Sequence, residues 1–393
     1  MNIGIFTDTY FPQVSGVATS IKTLRDQLEQ NGHSVYIFTS TDPKVDKDVY
    51  ERNIFRFPSV PFVSFTDRRI AVAGVFRALQ IARDLNLDLI HTQTEFSMGL
   101  MGKFIAHTLK IPVLHTYHTM YEDYLHYVAN GKLLHPRQVK SMSRAYLHGV
   151  EGVVAPSDRV LTTLRSYGVK IPIRVIPTGV NLSQYEQTPV DSKLRQELHF
   201  AVDTPVLLSL SRLAFEKNIH EIIMAMPDVL AQQPTAQLVI VGDGPAREDL
   251  QTQVAQMGLN DHITFTGEIS NDRVSEYYHM ADVFVSASDS ESQGLTYIEA
   301  IAAGLPIVVM SSPYTDELLT SPTVGKVFKQ QSELVADVDA YLSGAIDLRD
   351  QTVRQRLLYE ISADAFGKRI LQFYADAQLI YQEDSEKSAK LSD

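Results

Sequence analysis

Two carboxylates, Glu291 and Glu299, stand eight positions apart on either side of Gly294-Leu295, a step that reads as the start of a helix. With one carboxylate in the loop and the other expected two turns into the helix, the pair brackets a helix N-terminus. Unpaired N–H groups and partial positive charge there suit a phosphate. Carboxylates on either side can accept hydrogen bonds from sugar hydroxyls, so the combination suggests a nucleotide-sugar site. Taken alone, the same spacing also describes ordinary Glu residues on a surface helix. Upstream, Arg212 and Lys217 follow the apolar run at 206–210, where two cations can reach charge that accumulates on a diphosphate as a bond breaks. In isolation they are equally a pair of surface cations.

Other residue pairs invite a metal and then argue against one. His115 and His118 lie three apart in a strand-like segment, so their imidazoles point to opposite faces and do not share an ion. Two D-x-D triplets, Asp46-Lys47-Asp48 and Asp337-Val338-Asp339, can hold a divalent ion on a nucleotide sugar. One falls in a polar, charged stretch and the other inside a helical pattern, and both read as solvated surface. The chain has no Cys, which excludes disulfides, thiolate catalysis and Cys-ligated metals. No metal is expected, because positive side chains and helix dipoles can take the ion's place.

Groups this far apart in sequence need a scaffold to assemble them. Apolar runs at 2–6, 35–39, 54–57, 88–92, 112–116, 152–155 and 174–176 alternate with amphipathic segments, and Val17, Ile21, Leu24 and Leu28 recur at helical spacing before Gly32. After Pro177-Thr178-Gly179 a second series follows, with strands expected at 206–210, 237–241, 263–266, 282–285 and 305–309 and helices at about 217–231, 245–257, 272–280 and 294–303. The fold class is α/β, with two doubly wound domains whose ligands sit at the carboxyl ends of the strands. Residues 1–180 carry 20 Lys plus Arg against 15 Asp plus Glu, or +5, and residues 181–393 carry 15 against 32, or −17. The basic half is expected to face something anionic; there is no interleaved aromatic and basic RNA motif, so a membrane surface fits better than nucleic acid. Arg137, Lys140 and Arg144 share one helical face, preceded by Lys132, Leu133 and Leu134; with Phe62, Phe65, Arg68 and Arg69 they resemble a membrane-contacting surface. Tyr117, Tyr121, Tyr124 and Tyr127 recur at spacings of four, three and three, one face if that segment is helical. No secretory signal precedes the first strand and no apolar run reaches the roughly 18–20 residues of a membrane span, so a cytoplasmic chain is expected. The polar tail after Gln382 is expected to fray.

E-x7-E after an apolar strand, with Gly294-Leu295-Thr296 at its centre, resembles the signature of retaining GT-B glycosyltransferases. The segments 210–218, Val241-Gly242-Asp243-Gly244-Pro245 and Phe265-Thr266-Gly267-Glu268 follow in the family's order, and Phe11–Val17 is similar to its first glycine loop. The likeness spans nearly the whole chain; Ser211 departs from a commoner glycine and Gln293 from a frequent aromatic. It implies the GT-B architecture of two Rossmann-like domains facing across a cleft: 1–178 facing acceptor and membrane, 179–365 binding the nucleotide sugar, and a C-terminal helix at 366–393 packing back toward the first. It also implies that Arg212 and Lys217 contact the diphosphate and that Gly16 admits backbone to the phosphate. Glu299 would hold the ribose and Glu291 the donor sugar. Backbone amides of Gln293, Gly294, Leu295 and Thr296 would serve sugar and phosphate, and the backbone at Ile269 the base, most often uracil. His118 would be the active-site histidine at a strand end.

The strings at 11–20, 91–96 and 115–124 resemble bacterial 1,2-diacylglycerol 3-alpha-glucosyltransferases. That narrower likeness implies transfer of glucose from UDP-glucose to diacylglycerol by a peripheral protein on the inner face of the membrane, with no cofactor beyond the UDP-sugar. Phe65, Tyr121, Tyr124, Lys132, Leu133, Leu134, Arg137, Lys140 and Arg144 would meet membrane or acceptor. Addition of a second sugar to the monoglucosyl lipid, transfer to a soluble acceptor, and a catalytically silent sugar-nucleotide sensor remain as alternatives, and glucose is not distinguished from galactose.

Overall fold

Strands that are apolar on both sides of the pleat must be covered on both faces, and that requirement organises this chain. The computed structural model describes residues 1–13, 15–45, 50–62, 65–120, 136–186, 192–291 and 293–392. Contacts divide the chain into unit 1, Met1–Gly179 with Ala363–Asp393, and unit 2, Val180–Ser362.

Unit 1 runs β1 (Asn2–Thr7), α1 (Gly16–Gln30), β2 (Ser34–Ser40), β3 (Ile54–Phe57), β4 (Ser59–Phe62), β5 (Phe65–Ala71), α2 (Val75–Asp84), β6 (Leu89–Thr92), α3 (Ser97–Leu109), β7 (Val113–Thr116), α4 (Pro136–Leu147), β8 (Gly152–Ala155), α5 (Asp158–Ser166) and β9 (Ile173–Val175). Seven strands form a parallel sheet in the order β3-β2-β1-β6-β7-β8-β9. Alternate residues feed two cores. Phe6, Phe38, Ile90, Val113 and Val153 face α2, α3 and α4, while Ile3, Ile5, Val35, Ile37, Leu89, Leu114 and Val154 face α1 and the C-terminal helix. Ser15 caps α1, its hydroxyl accepting from Ala18 N at 3.1 Å.

Unit 2 runs α6 (Ser183–Glu186), α7 (Ser192–Glu197), β10 (Val206–Leu210), a 3-10 turn (Phe215–Lys217), α8 (Ile219–Gln232), β11 (Gln237–Val241), α9 (Arg247–Gln256), β12 (Ile263–Gly267), α10 (Val274–Met280), β13 (Val283–Ser286), α11 (Leu295–Ala302), β14 (Ile307–Met310), α12 (Pro313–Leu318), β15 (Gly325–Phe328), α13 (Gln331–Leu342) and α14 (Thr352–Glu360). Its parallel sheet is ordered β12-β11-β10-β13-β14-β15. The same alternation recurs: Leu207, Leu238, Ile240, Val283 and Val285 pack under α8, α9 and α13, and Val206, Leu208, Val239, Phe284, Ile307 and Val309 under α10 and α11.

The expected strands and helices reappear within a few residues. The antiparallel pair β4–β5 escaped the sequence reading because Pro61 interrupts its pattern, and β15 because it is short and carries Lys326. The expected frayed end is corrected, since α15 (Ala363–Ser392) continues through it. Lys387 pairs with Glu383 one turn back and Ser385 Oγ donates to Tyr381 O, the local contacts that sustain a polar helix. Among the described residues no helix is long and apolar enough to cross a membrane.

α15 is built into unit 1. Phe373 lies so close over β8 that a Cβ on Gly152 would stand 2.4 Å from its ring. The buried His91 of β6 places Nδ1 2.7 Å from Tyr374 Oη and Nε2 2.8 Å from Thr116 Oγ1. Burial holds that imidazole neutral, well below its ordinary pKa, so one nitrogen donates and the other accepts. Tyr374→Phe leaves a buried ring nitrogen unpaired, and urea melts followed by a unit 1 probe should show a loss of about 1–3 kcal/mol; an unchanged midpoint would mean that the hydroxyl contributes nothing.

Candidate active site

β10 and β13 are neighbours at the point where the strand order of unit 2 reverses, the position at which a doubly wound sheet opens a crevice at its carboxyl ends. Arg212 leaves two residues after β10 and Glu291 five residues after β13. The β10 exit is pinned to the β11 exit: Ser211 N donates to Val241 O at 3.1 Å, Leu213 N to Asp243 O at 3.0 Å, and Ala246 N to Leu213 O at 2.9 Å. Gly242 has φ +129°, and a Cβ there would fall 2.0 Å from the Ser211 carbonyl oxygen, so the approach demands glycine. Asn218 Nδ2 donates to Ala287 O at 3.2 Å, tying the turn that carries Lys217 to the β13 exit. Lys217 Nζ then donates to Glu291 Oε1 at 2.5 Å, with the two side chains only 16% and 18% exposed. The guanidinium of Arg212 sits on an exposed residue of the same loop.

α11 begins where the sequence placed it, but Glu299 is its fifth residue, just over one turn in and not two. Gly294 sets that start: at φ +60° it breaks from the helix, and a Cβ would strike the Tyr297 ring at 2.7 Å. Gln293 is buried, and Leu295 and Thr296 are partly so at the open end of the helix. Ile269 lies two residues past β12, packed against the core that holds Tyr297. Three tyrosines complete the site that the sequence did not single out. Tyr278 Oη donates to Glu299 Oε2 at 2.8 Å, and the Tyr185 hydroxyl also bonds that carboxylate. Burial among these rings raises the Glu299 pKa to about 7, against the two hydroxyls that lower it. Tyr314 Oη is buried with no hydrogen-bond partner among the described residues, within reach of the Glu291 charge. No local spacing could reveal these tyrosines, because α6, α10 and α12 deliver them from separate parts of the chain.

In unit 1 the strand ends carry a buried polar cluster. Asp8, at the end of β1, accepts from Thr94 Oγ1 at 2.6 Å, from Ser97 Oγ and from Met98 N at 3.1 Å at the start of α3. His115 is satisfied, with Nδ1 2.9 Å from Thr92 Oγ1 and Nε2 3.1 Å from Glu95 Oε1. His118 lies two residues beyond β7, its Nε2 2.8 Å from Gln93 Oε1. Gly16 is exposed as the first residue of α1.

The membrane candidates divide. α4 exposes Arg137, Lys140 and Arg144 and buries Val139, Ser143, Tyr146 and Leu147, the face the spacing called for. Phe65 belongs to β5, while Tyr121, Tyr124, Tyr127, Lys132, Leu133 and Leu134 lie outside the described residues. Tyr117 is core, 1% exposed with Oη 3.0 Å from Ser143 Oγ, and 117–120 is not helical, so the tyrosine stripe does not begin there as a helix face. Asp46-Lys47-Asp48 also lies outside the described residues. Asp337 was expected on solvated surface and is instead buried, paired with Lys326 on β15. Among the described residues no three His, Asp or Glu side chains converge as a metal site.

Glu299 makes the cost of this site measurable. Its folded pKa of about 7 lies above the ordinary 4.5, so its contribution to stability is fully present below pH 4.5 and is lost as pH rises through 7. Glu299→Gln should therefore be more stable than wild type at pH 8 by about 1–3 kcal/mol, with the difference closing towards pH 5. Urea melts of the ligand-free protein at both pH values check this, and equal stability at pH 8 refutes it.

Comparison with known proteins agrees with this geometry. Residues 14–184 match the family described as Glycosyltransferase Family 4, and residues 190–356 match Glycosyl transferases group 1. The chain is 46% identical to the alpha-monoglucosyldiacylglycerol synthase of Streptococcus pneumoniae, over 100% of this chain and 90% of that protein. It is 34% identical to the enzyme of the same name from Acholeplasma laidlawii, over 85% and 86% of the two chains. Among solved structures, Anabaena Alr3699/HepE in complex with UDP superposes with a TM-score of 0.75 at 19% identity, covering 96% of this chain and all of that one. The full-length relative and the paired family matches lead to one conclusion: the chain belongs to the group 1 glycosyltransferases of GT-B fold.

Proposed function

We propose that the protein transfers glucose from UDP-glucose to 1,2-diacylglycerol, with retention at the anomeric carbon and without a metal ion. The observation that carries sugar and acceptor is the full-length 46% identity to the pneumococcal alpha-monoglucosyldiacylglycerol synthase. UDP as the nucleotide accords with the Anabaena neighbour, solved with UDP and with UDP-glucose. In this reading unit 2 binds the donor. The Lys217–Glu291 pair opens on binding: the ammonium turns to the diphosphate and the carboxylate is released to a sugar hydroxyl, so each charge exchanges one partner for another. Arg212 joins Lys217 on the leaving group, backbone N–H groups of Gln293, Gly294, Leu295 and Thr296 and of the Gly16 turn meet phosphate and sugar, Glu299 takes the ribose hydroxyls, and the backbone at Ile269 reads uracil. A phosphate oxygen of the departing UDP accepts the acceptor proton as the new bond forms on the same face, with His118 against the sugar.

Unit 1 is the membrane-facing half. Adding residues 363–393, with four Lys or Arg and six Asp or Glu, to residues 1–179 gives unit 1 a net charge of +3 and leaves unit 2 at −15. Both UDP-glucose and UDP-galactose should be offered with diacylglycerol or monoglucosyl diacylglycerol in anionic vesicles, and the product's anomeric linkage read by NMR. Label entering diacylglycerol as an α-glucoside supports the proposal; label entering only the monoglucosyl lipid would assign the second step.

Arg212→Ala should lower kcat about a hundredfold or more, the usual cost of removing one donor to charge that develops in the transition state. EDTA should leave the wild-type rate unchanged, and loss of activity on chelation would overturn the metal-free mechanism. For the membrane face, each Lys or Arg near an anionic bilayer contributes about 1 kcal/mol within a Debye length of roughly 8 Å. Changing Arg137, Lys140 and Arg144 together to Glu should therefore release the protein from anionic vesicles in sedimentation while UDP still binds. Undiminished sedimentation of that variant would leave the α4 face as solvated surface.

A further inference from the structure

Gln93 and His118 meet across two strand ends. Gln93 follows β6 directly and its N–H donates to Phe6 O on β1 at 2.8 Å, while His118 follows β7, paired to β6 with Thr92 opposite His115. The imidazole Nε2 is 2.8 Å from the amide oxygen. Gln93 is 2% exposed, and its amide nitrogen is buried with no partner among the described residues. A glutamine serving only the core would have both ends of its amide bonded, because an unpaired buried donor is costly. This one is held by its oxygen alone, and that oxygen contacts the histidine.

An amide oxygen only accepts, so the nitrogen facing it must carry the proton. We propose that Gln93 is a positioning residue for His118: its amide oxygen fixes the imidazole as the Nε2–H tautomer, leaving Nδ1 to accept a hydrogen bond from a hydroxyl of the transferred sugar. The inference rests on the reading of His118 as the histidine that faces that sugar. The choice of an amide has a chemical reason. A carboxylate at residue 93 would make the same hydrogen bond but draw the imidazole to its charged form, which has no acceptor on Nδ1. The other groups facing His118 are balanced: His115 disfavours its charged form, Glu95 favours it, and His91 behind β6 is itself held neutral. Burial dominates and lowers the His118 pKa to about 4, so the neutral ring persists through the working range.

The tautomer can be read directly in the full-length wild-type protein labelled with 15N-histidine, using long-range 1H–15N correlations and assigning His118 by the signals lost in His118→Ala. Protonated Nε2 with bare Nδ1 is expected; a protonated Nδ1 would overturn the proposal without recourse to any Gln93 variant. Gln93→Glu keeps the acceptor but adds charge, so its activity should stay close to wild type near pH 8 and fall about tenfold by pH 6, where wild type is level. Gln93→Leu should lose about tenfold or more in kcat with donor KM nearly unchanged, as expected for a group misplaced in the transition state. A wild-type pH profile for Gln93→Glu, or a wild-type kcat for Gln93→Leu, sinks the proposal. His118→Ala separates the two layers: if it remains fully active, the reading of His118 fails and takes the positioning role with it. If it is inactive while both Gln93 variants behave as wild type, only the positioning role fails.

Discussion

The Lys217–Glu291 ion pair is the contact on which the geometry of unit 2's site depends. It joins the chain leaving β10 to the chain leaving β13, two strands adjacent in the sheet and distant in sequence, at the sheet's reversal point. Removing one member would take this ion pair from the other, partly buried charge, a larger penalty than the pair's net contribution to folding. The pair therefore keeps both loops in register while no ligand is bound. In the proposed reading it also places opposite charges for a sugar diphosphate, the cation for the phosphates and the carboxylate for hydroxyls. A hydrophobic pair of similar size would pack as well and bind nothing.

Around that contact, the site is assembled from groups whose burial works against their charge. Burial raises the Glu299 pKa, and Tyr314 keeps a buried hydroxyl with no hydrogen-bond partner among the described residues. In unit 1 polar groups also gather at the ends of β1, β6 and β7, where Asp8, His91, His115 and His118 are hydrogen-bonded to hydroxyls and an amide, and burial raises the Asp8 pKa and lowers those of His91 and His118. Such clusters destabilise the fold locally, and the apolar strands behind them, covered on both faces, supply the stability that offsets it. The loops that carry the candidate residues are held at the strand ends by close approaches such as Gly242 against Ser211.

Neighbour contacts in the sequence account for much of this. Continuously apolar strands alternating with amphipathic helices specify two doubly wound sheets, since both the apolar run and the helical repeat are set by residues a few positions apart. The same locality made Gly294 legible as a helix start and the basic face of α4 legible from three positions. Arg212, Lys217, Glu291, Glu299 and His118 could be named because they stand in recognisable strings, and their residue types suit anions and hydroxyls.

What the strings could not determine is which groups touch. The Lys217–Glu291 bond, the tyrosines around Glu299, the Tyr374 hydroxyl on His91 and the Gln93 amide on His118 all join residues brought together only when strands order themselves in a sheet. Burial was likewise decided there: Asp337 was read as solvated surface within a helical pattern, and in the fold it is buried and paired with Lys326 on β15. Sequence determined the elements and the kinds of chemistry available, because both follow from short-range pattern and side-chain type. Tertiary structure alone decided protonation, pairing and exposure, because those depend on the dielectric and partners that distant segments supply.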